Sequence, residues 1–113
     1  YAHDLRWVEV WRHRLAGLFL RVDAILCPTA PILPPLRADL EFAQAIRIIP
    51  KFTCVFAAAG VPSLALPSGF STLGLPLSIE LAGPSFGEEQ ILQLGHAFQC
   101  ATSHHLKRPN LIL

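Results

Sequence analysis

The sequence predicts an α/β fold in which strands of a sheet are covered by helices, and three observations carry that prediction. Apolar residues recur at steps of three and four near both ends of the chain. Between those ends lie three short apolar runs of strand length, one of them alternating strictly. Proline and glycine punctuate most of the boundaries between the runs. Helical spacing gives one buried stripe per helix and period-two spacing one buried face per strand, so the two periods in one chain call for helices laid on a sheet.

Residues 1–21 carry Leu5, Val8, Trp11, Leu15, Leu18 and Phe19 at helical steps, with charges such as Asp4, Arg6, Glu9 and Arg12 in the gaps, which predicts an amphipathic helix. Residues 23–27 follow as a short, unalternating run that predicts a buried strand ending at Pro28. Pro28, Pro31, Pro34 and Pro35 fix their own φ and donate no backbone hydrogen bond, so residues 29–36 read as an ordered loop over a surface or cleft. A helix is expected over 37–49, closed by Pro50, and another over 51–59, closed at Gly60 by left-handed geometry. A second strand is expected over 61–66, stopped by Pro67, Ser68 and Gly69, and then a turn over 71–74. In residues 75–82, Leu75, Leu77, Ile79 and Leu81 alternate with Pro76, Ser78, Glu80 and Ala82, a third strand whose Glu80 faces solvent or a partner. Residues 88–101 form the clearest helix, with Ser85 and Glu88 placed as a capping box.

At 113 residues the chain has room for one domain, 1–113. It is 52% hydrophobic and only 15% charged, against about 25% charged for an ordinary soluble domain. That leaves little polar surface, so either an apolar face oligomerises or the chain is a piece of a larger fold. The opening at Tyr1 and the absence of methionine favour the piece. The charges in the first 22 residues exclude a signal peptide, and no apolar run approaches the 18 or so residues of a membrane span. A formal charge of +1 with dispersed basic residues argues against nucleic acid as a partner. Three cysteines, Cys27, Cys54 and Cys100, have no disulfide-framework spacing, and a reducing, cytoplasmic setting is expected.

The stretch from Lys51-Phe52-Thr53 through Gly60-Val61-Pro62 to Pro67-Ser68-Gly69-Phe70, followed by Gly74-Leu75-Pro76, Gly83 and Phe86-Gly87-Glu88, resembles the closing segment of the amidase signature family. Asp23-Ala24-Ile25-Leu26-Cys27-Pro28-Thr29-Ala30-Pro31 resembles that family's penultimate strand and the loop after it, so the similarity covers roughly residues 5–108. The resemblance implies the C-terminal portion of a mixed sheet covered by helices, in an enzyme that hydrolyses carbon–nitrogen amide bonds without metal or organic cofactor. The family's catalytic group is Ser-cisSer-Lys: an attacking serine, a serine that relays the proton, and a neutral lysine as base. Those parts sit upstream in the family. Lys51 and Lys107 lie in the wrong motifs, so no catalytic residue is carried over and the chain alone is expected to be inactive. What carries over is cleft lining, with Thr29, Ala30, Pro31 and Ile32 as the substrate-binding candidates. The implied partners are the remainder of the amidase domain and a small-molecule amide, with a homodimer of the parent held open. Two positions depart from the family. Pro50 stands where glutamine-using amidotransferase subunits carry an acidic residue, and Ala57 where many relatives carry asparagine. The alternatives kept open are a non-catalytic binding module derived from this fold and a subunit of an aminoacyl-tRNA amidotransferase.

Other residues invite functional readings that ordinary chemistry answers. His104 and His105, eight residues beyond His96, lack zinc-site spacing and read as caps near a helix end, so no metal is expected. Cys27 lies near the expected cleft without a basic sequence neighbour to activate it. Ser63, Ser68, Ser71 and Ser78 sit at turns and strand ends, where hydroxyls satisfy backbone groups. Thr29 is held by prolines, and whether it faces the pocket or solvent stands open. Trp7 and Trp11 read as core or interface anchors on the first helix.

Overall fold

The computed structural model describes residues 2–39 and 41–109. Tyr1, the expected start of the first helix, Leu40 within the helix expected over 37–49, and the side chains of Asp4 and Leu5 lie outside the described residues. The first helix, α1, runs Ala2–Phe19. Trp11, Leu15 and Phe19, four apart, form its packed stripe, and Leu15 is 2% exposed. Trp7, one turn earlier, stands outside that cluster and is 62% exposed, so Trp11 alone of the two tryptophans is a core anchor.

Strand β1, Ile25–Pro28, starts two residues later than its apolar run and includes Pro28. It is not buried on both faces as its run implied. Among the described residues it pairs with β3 (Pro76–Ala82) alone, its burial alternates, and Leu26 is 60% exposed. An edge strand tolerates Pro28 because a missing N–H costs nothing where no second neighbour accepts it. The helix expected over 37–49 divides into a 3₁₀ turn, Arg37–Asp39, and α2, Phe42–Ile48, which buries no residue. A second 3₁₀ turn, Ile49–Lys51, carries Pro50 and leads into α3, Cys54–Ala59. Gly60 closes α3 at φ 69°, the left-handed cap its position predicts.

Strand β2, Ser63–Phe70, runs through Pro67, Ser68 and Gly69 instead of stopping there. The register against its neighbour shifts between Pro67 and Gly69, so these residues make a bulge inside the strand. Ser71 closes the following turn: its Oγ accepts from the N–H groups of Leu73 (3.3 Å) and Leu75 (3.1 Å). Strand β3, Pro76–Ala82, occupies the centre of a three-stranded sheet of order β1-β3-β2, antiparallel on both sides. Helix α4 spans Glu88–Ala101 as expected, but without the capping box: Gly87 is the N-cap and no side chain bonds there. Backbone closes the entry instead, with Gly87 N–H donating to the Pro84 carbonyl at 2.9 Å.

The sheet separates two cores. On one face Ala82 meets Leu15 of α1 and Phe56 and Ala59 of α3, with Ile25 and Cys27 beside them. On the other, Leu66 and Leu81 pack on Ile91 of α4. The helix lies close on the sheet because position 95 is glycine: a Cβ there would stand 2.5 Å from Leu64 Cδ2. Covering both faces also removes the solvent half of the expectation that Glu80 faces solvent or a partner. It alternates with Ile79 and Leu81 along the strand, yet it shares the face of Ala82 and is only 5% exposed. No helix among the described residues is long and apolar enough to cross a membrane.

Candidate functional site

The proline-bearing loop and one end of the sheet border a half-open cavity of about 480 Å³. Ala30, Ile32 and Leu33 form its loop wall, Pro28 and Ile79 its floor from β1 and β3, and Ile49 closes a side. The loop is pinned at its start, where the Thr29 N–H donates to the Ser78 carbonyl at 3.1 Å and prolongs the β1–β3 ladder by one residue. Beyond that point Pro31, Pro34 and Pro35 restrict the backbone, so the wall holds its shape without a ladder of its own.

The polar lining comes from Ser68 in the β2 bulge and Ser78 on β3. Among the described residues, no Asp, Glu, His, Cys or Lys lines the cavity. It can therefore seat an apolar group and offer it hydroxyl and carbonyl contacts, but it holds no base to deprotonate a nucleophile.

Of the four residues singled out from the loop, Ala30 and Ile32 stand in the wall, while Pro31 is exposed and outside it. Thr29 faces neither this cavity nor open solvent. Strand alternation puts its side chain on the α1–α3 face with Cys27 and Glu80, and its Oγ1 is buried without a hydrogen-bond partner. Burial, and after it the Glu80 carboxylate across the ladder, push the Cys27 thiol above its ordinary value. Cys27 is thus a poor nucleophile where it sits.

A family model described as Amidase matches residues 2–92. The chain belongs to the amidase family. A glutamyl-tRNA(Gln) amidotransferase subunit from Desulfatibacillum aliphaticivorans is 43% identical over 94 residues, covering 82% of this chain and 19% of that protein. The subunit of the same name from Neisseria meningitidis serogroup A is 40% identical over 92 residues, covering 80% and 19%. This amidase-family chain thus spans about a fifth of the length of these relatives. Its fold is that of solved members. It superposes on the corresponding glutamyl-tRNA(Gln) amidotransferase subunit from Thermotoga maritima with a TM-score of 0.79 at 23% identity, over 90% of this chain and 23% of that one. On 6-aminohexanoate cyclic dimer hydrolase the TM-score is 0.84 at 20% identity, over 100% and 26%.

Within the amidase-family chain, sequence reasoning missed Ser68, Ser78 and Ile49 as wall residues. Both serines have the turn and strand-end positions in which hydroxyls ordinarily serve the backbone, and Pro67-Ser68-Gly69 signals a strand end as readily as a bulge. The histidines do not cap α4: Thr102 does, its Oγ1 donating to the Phe98 carbonyl at 2.9 Å. His104 and His105 form a separate 3₁₀ turn, His104–Leu106, with His104 lying against Gly69 of β2. Among the described residues no group of three or more His, Cys, Asp or Glu gathers around a common point.

Proposed function

We propose that this chain forms part of the substrate-cleft wall of an amidase that hydrolyses a carbon–nitrogen amide bond by acyl transfer to serine, the catalytic serines and lysine lying outside residues 1–113. The observation that carries the reading is the apolar cavity behind the proline loop, which has room for an acyl group and no titratable residue in its lining. In such an enzyme the serine attacks the substrate carbonyl, the second serine and lysine take its proton and return one to the leaving amine, and water releases the acyl group. Ala30 and Ile32 would limit the acyl group that reaches the serine. The remainder of the amidase domain is the partner that covers exposed apolar residues such as Leu20, Phe42 and Leu73. Three free thiols suit a reducing, cytoplasmic setting.

Two experiments test this reading. The 113-residue chain alone, incubated with a panel of aliphatic and aryl amides, should release no amine. In the enzyme that contains it, Ile32→Ala should shift preference toward longer or branched acyl groups. Each methylene accommodated is worth about 10- to 200-fold in kcat/KM. Amine release by the chain alone would end the claim of inactivity, and a uniform loss across acyl groups would remove Ile32 from the cleft.

A second reading, membership in a tRNA-dependent amidotransferase that works with partner proteins, draws support from the names of the 43% and 40% identical relatives. Pro50, where the resemblance leads one to expect an acidic residue, speaks against it. Glutaminase activity in the enzyme containing this chain, coupled to transamidation of Glu-tRNA, would decide for it.

A further inference from the structure

Among the described residues Glu80 alone is both charged and buried, and no donor reaches its Oε2. The side chain is 5% exposed within these 113 residues, and more chain packed against it can only lower that figure. Thr29 Oγ1 is a second enclosed oxygen without a partner, on the same face of the sheet. Cys27 stands opposite Glu80 across the β1–β3 ladder, and Thr29 stands opposite Ser78 one step further on. Thr29 is therefore the diagonal neighbour of Glu80, about 7–8 Å away from backbone to backbone. Buried polar groups are nearly always bonded and buried charges nearly always paired, so two orphaned oxygens this close together call for a common donor.

The sheet leaves that donor a way in. Helices α1 and α3 cover Ala82, Ile25 and Cys27 at one end of this face. Beside Glu80 the neighbouring side chains are short: Ala65 faces it from β2, Ser78 precedes it by two on β3, and both are exposed in this chain. A long side chain laid over Ala65 and Ser78 reaches Glu80 and Thr29 together. No basic residue among those described bonds either oxygen. Arg12, which crosses from α1 to α3, donates its Nε to the Ala59 carbonyl at 3.0 Å. Most of the length of each relative lies outside the part that this chain matches. Two acceptors set apart on neighbouring strands favour arginine over lysine. A guanidinium is weakly hydrated and carries five N–H donors in a planar fork, so one group serves a carboxylate and a hydroxyl oxygen at once, whereas an ammonium is a compact, strongly hydrated charge.

We propose that an arginine from the remainder of the amidase domain enters this face over Ala65 and Ser78, pairs with the Glu80 carboxylate and donates to Thr29 Oγ1. The inference rests on the reading of this chain as part of an amidase and deepens it, naming the contact by which the rest of the domain grips the central strand. Thr29 is also the root of the loop that walls the cavity, its N–H held by the Ser78 carbonyl at 3.1 Å. The same arginine thus fixes the wall from behind. In the chain alone the carboxylate is an unanswered charge, and in the whole enzyme it is one half of a buried pair.

Urea unfolding of the enzyme that contains this chain tests the pairing. There Glu80→Gln should lower the midpoint, the opposite sign to the change expected for the 113-residue chain alone. Thr29→Val, which keeps the shape of the side chain and removes the hydroxyl, should lower it as well. Each arginine of the remainder is then replaced by glutamine, singly and together with Glu80→Gln. One of them should depart from additivity with Glu80→Gln by about tenfold in the unfolding constant, as residues in direct contact do. A midpoint that holds or rises with Glu80→Gln in the enzyme, or strict additivity with every arginine, would overturn the proposal, and coupling to a lysine would overturn the choice of arginine. Amide hydrolysis by the unaltered enzyme is measured separately. Its absence would end the amidase reading, while the unfolding cycles would still decide whether the pair forms.

Discussion

Replacing Glu80 with glutamine isolates what its carboxylate does on the central strand. Glu80 is 5% exposed, and its Oε2 is buried without a hydrogen-bond partner. Ladders to Cys27 of β1 and Ala65 of β2 flank it, so it cannot swing to a free sheet edge. Glutamine keeps the shape and the contacts of the side-chain methylenes, and only charge and hydrogen-bonding capacity change. Leaving a buried polar group unpartnered costs about 1–3 kcal/mol, more when it is ionised. The amide retains an acceptor in the same surroundings but gains two donors on a face where Thr29 Oγ1 is also unpartnered. We therefore expect Glu80→Gln to stabilise the fold by about 1 kcal/mol at neutral pH, which raises Tm by about 4 °C in a chain of this length. The assay is urea unfolding followed by Trp11 fluorescence in a Trp7→Phe background. Trp11 reports on the right layer, because its Nε1 donates to the Val55 carbonyl at 2.8 Å in the core that also holds Ala82. An unchanged or lower midpoint with an unchanged m-value would refute the reasoning, since the carboxylate must then have a partner that glutamine cannot replace.

The Cys27 thiol is held above its ordinary value by burial and then by Glu80, so at pH 8 it should alkylate more slowly than Cys54 and Cys100. Its proton is bound more tightly in the folded state than in the unfolded one. The associated stability is therefore whole below the ordinary thiol value of about 8.5 and is lost as pH rises through the raised folded value. Urea midpoints should fall across that alkaline window and flatten in Cys27→Ala. At Gly83 an added Cβ would lie 2.6 Å from Ile91 Cγ1 and 2.7 Å from its Cδ1, and Ile91 is 2% exposed. Gly83→Ala should destabilise by about 1–2 kcal/mol, overpacking outweighing the reduced entropy of the unfolded chain. A double-mutant cycle with Ile91→Val, which removes Cδ1, should recover part of that loss; strict additivity would show that the two side chains do not collide.

Local patterns settled much of this protein. The apolar steps of α1 and α4, the alternation of β3, Gly60 as the stop of α3 and the Ser71 turn each depend on a few neighbouring residues, and each forms as its residue types dictate. The family, too, was legible, because ordered motifs such as Gly60-Val61-Pro62 and Gly74-Leu75-Pro76 fall around strands of fixed length. Ala30 and Ile32 reach the cavity wall because prolines confine the loop before any packing is known. Thr29 instead depends on strand parity at the end of β1, which sends it to the opposite face.

Tertiary structure alone decided where each face of the sheet went. Nothing in the run Ile25-Leu26-Cys27 says that β1 pairs with β3 alone among the described residues, the arrangement that leaves Leu26 exposed and admits Pro28. The Pro67-Ser68-Gly69 triplet ends a strand or bulges it with equal local ease, and pairing with β3 selected the bulge that brings Ser68 to the cavity. Glu80 alternates as a surface residue should, but α1 and α3 cover that face, and the helices that bury it are distant in sequence. Hydrophobic period is fixed by nearest neighbours along the chain, whereas burial is fixed by what packs above them, and only the folded chain specifies the second.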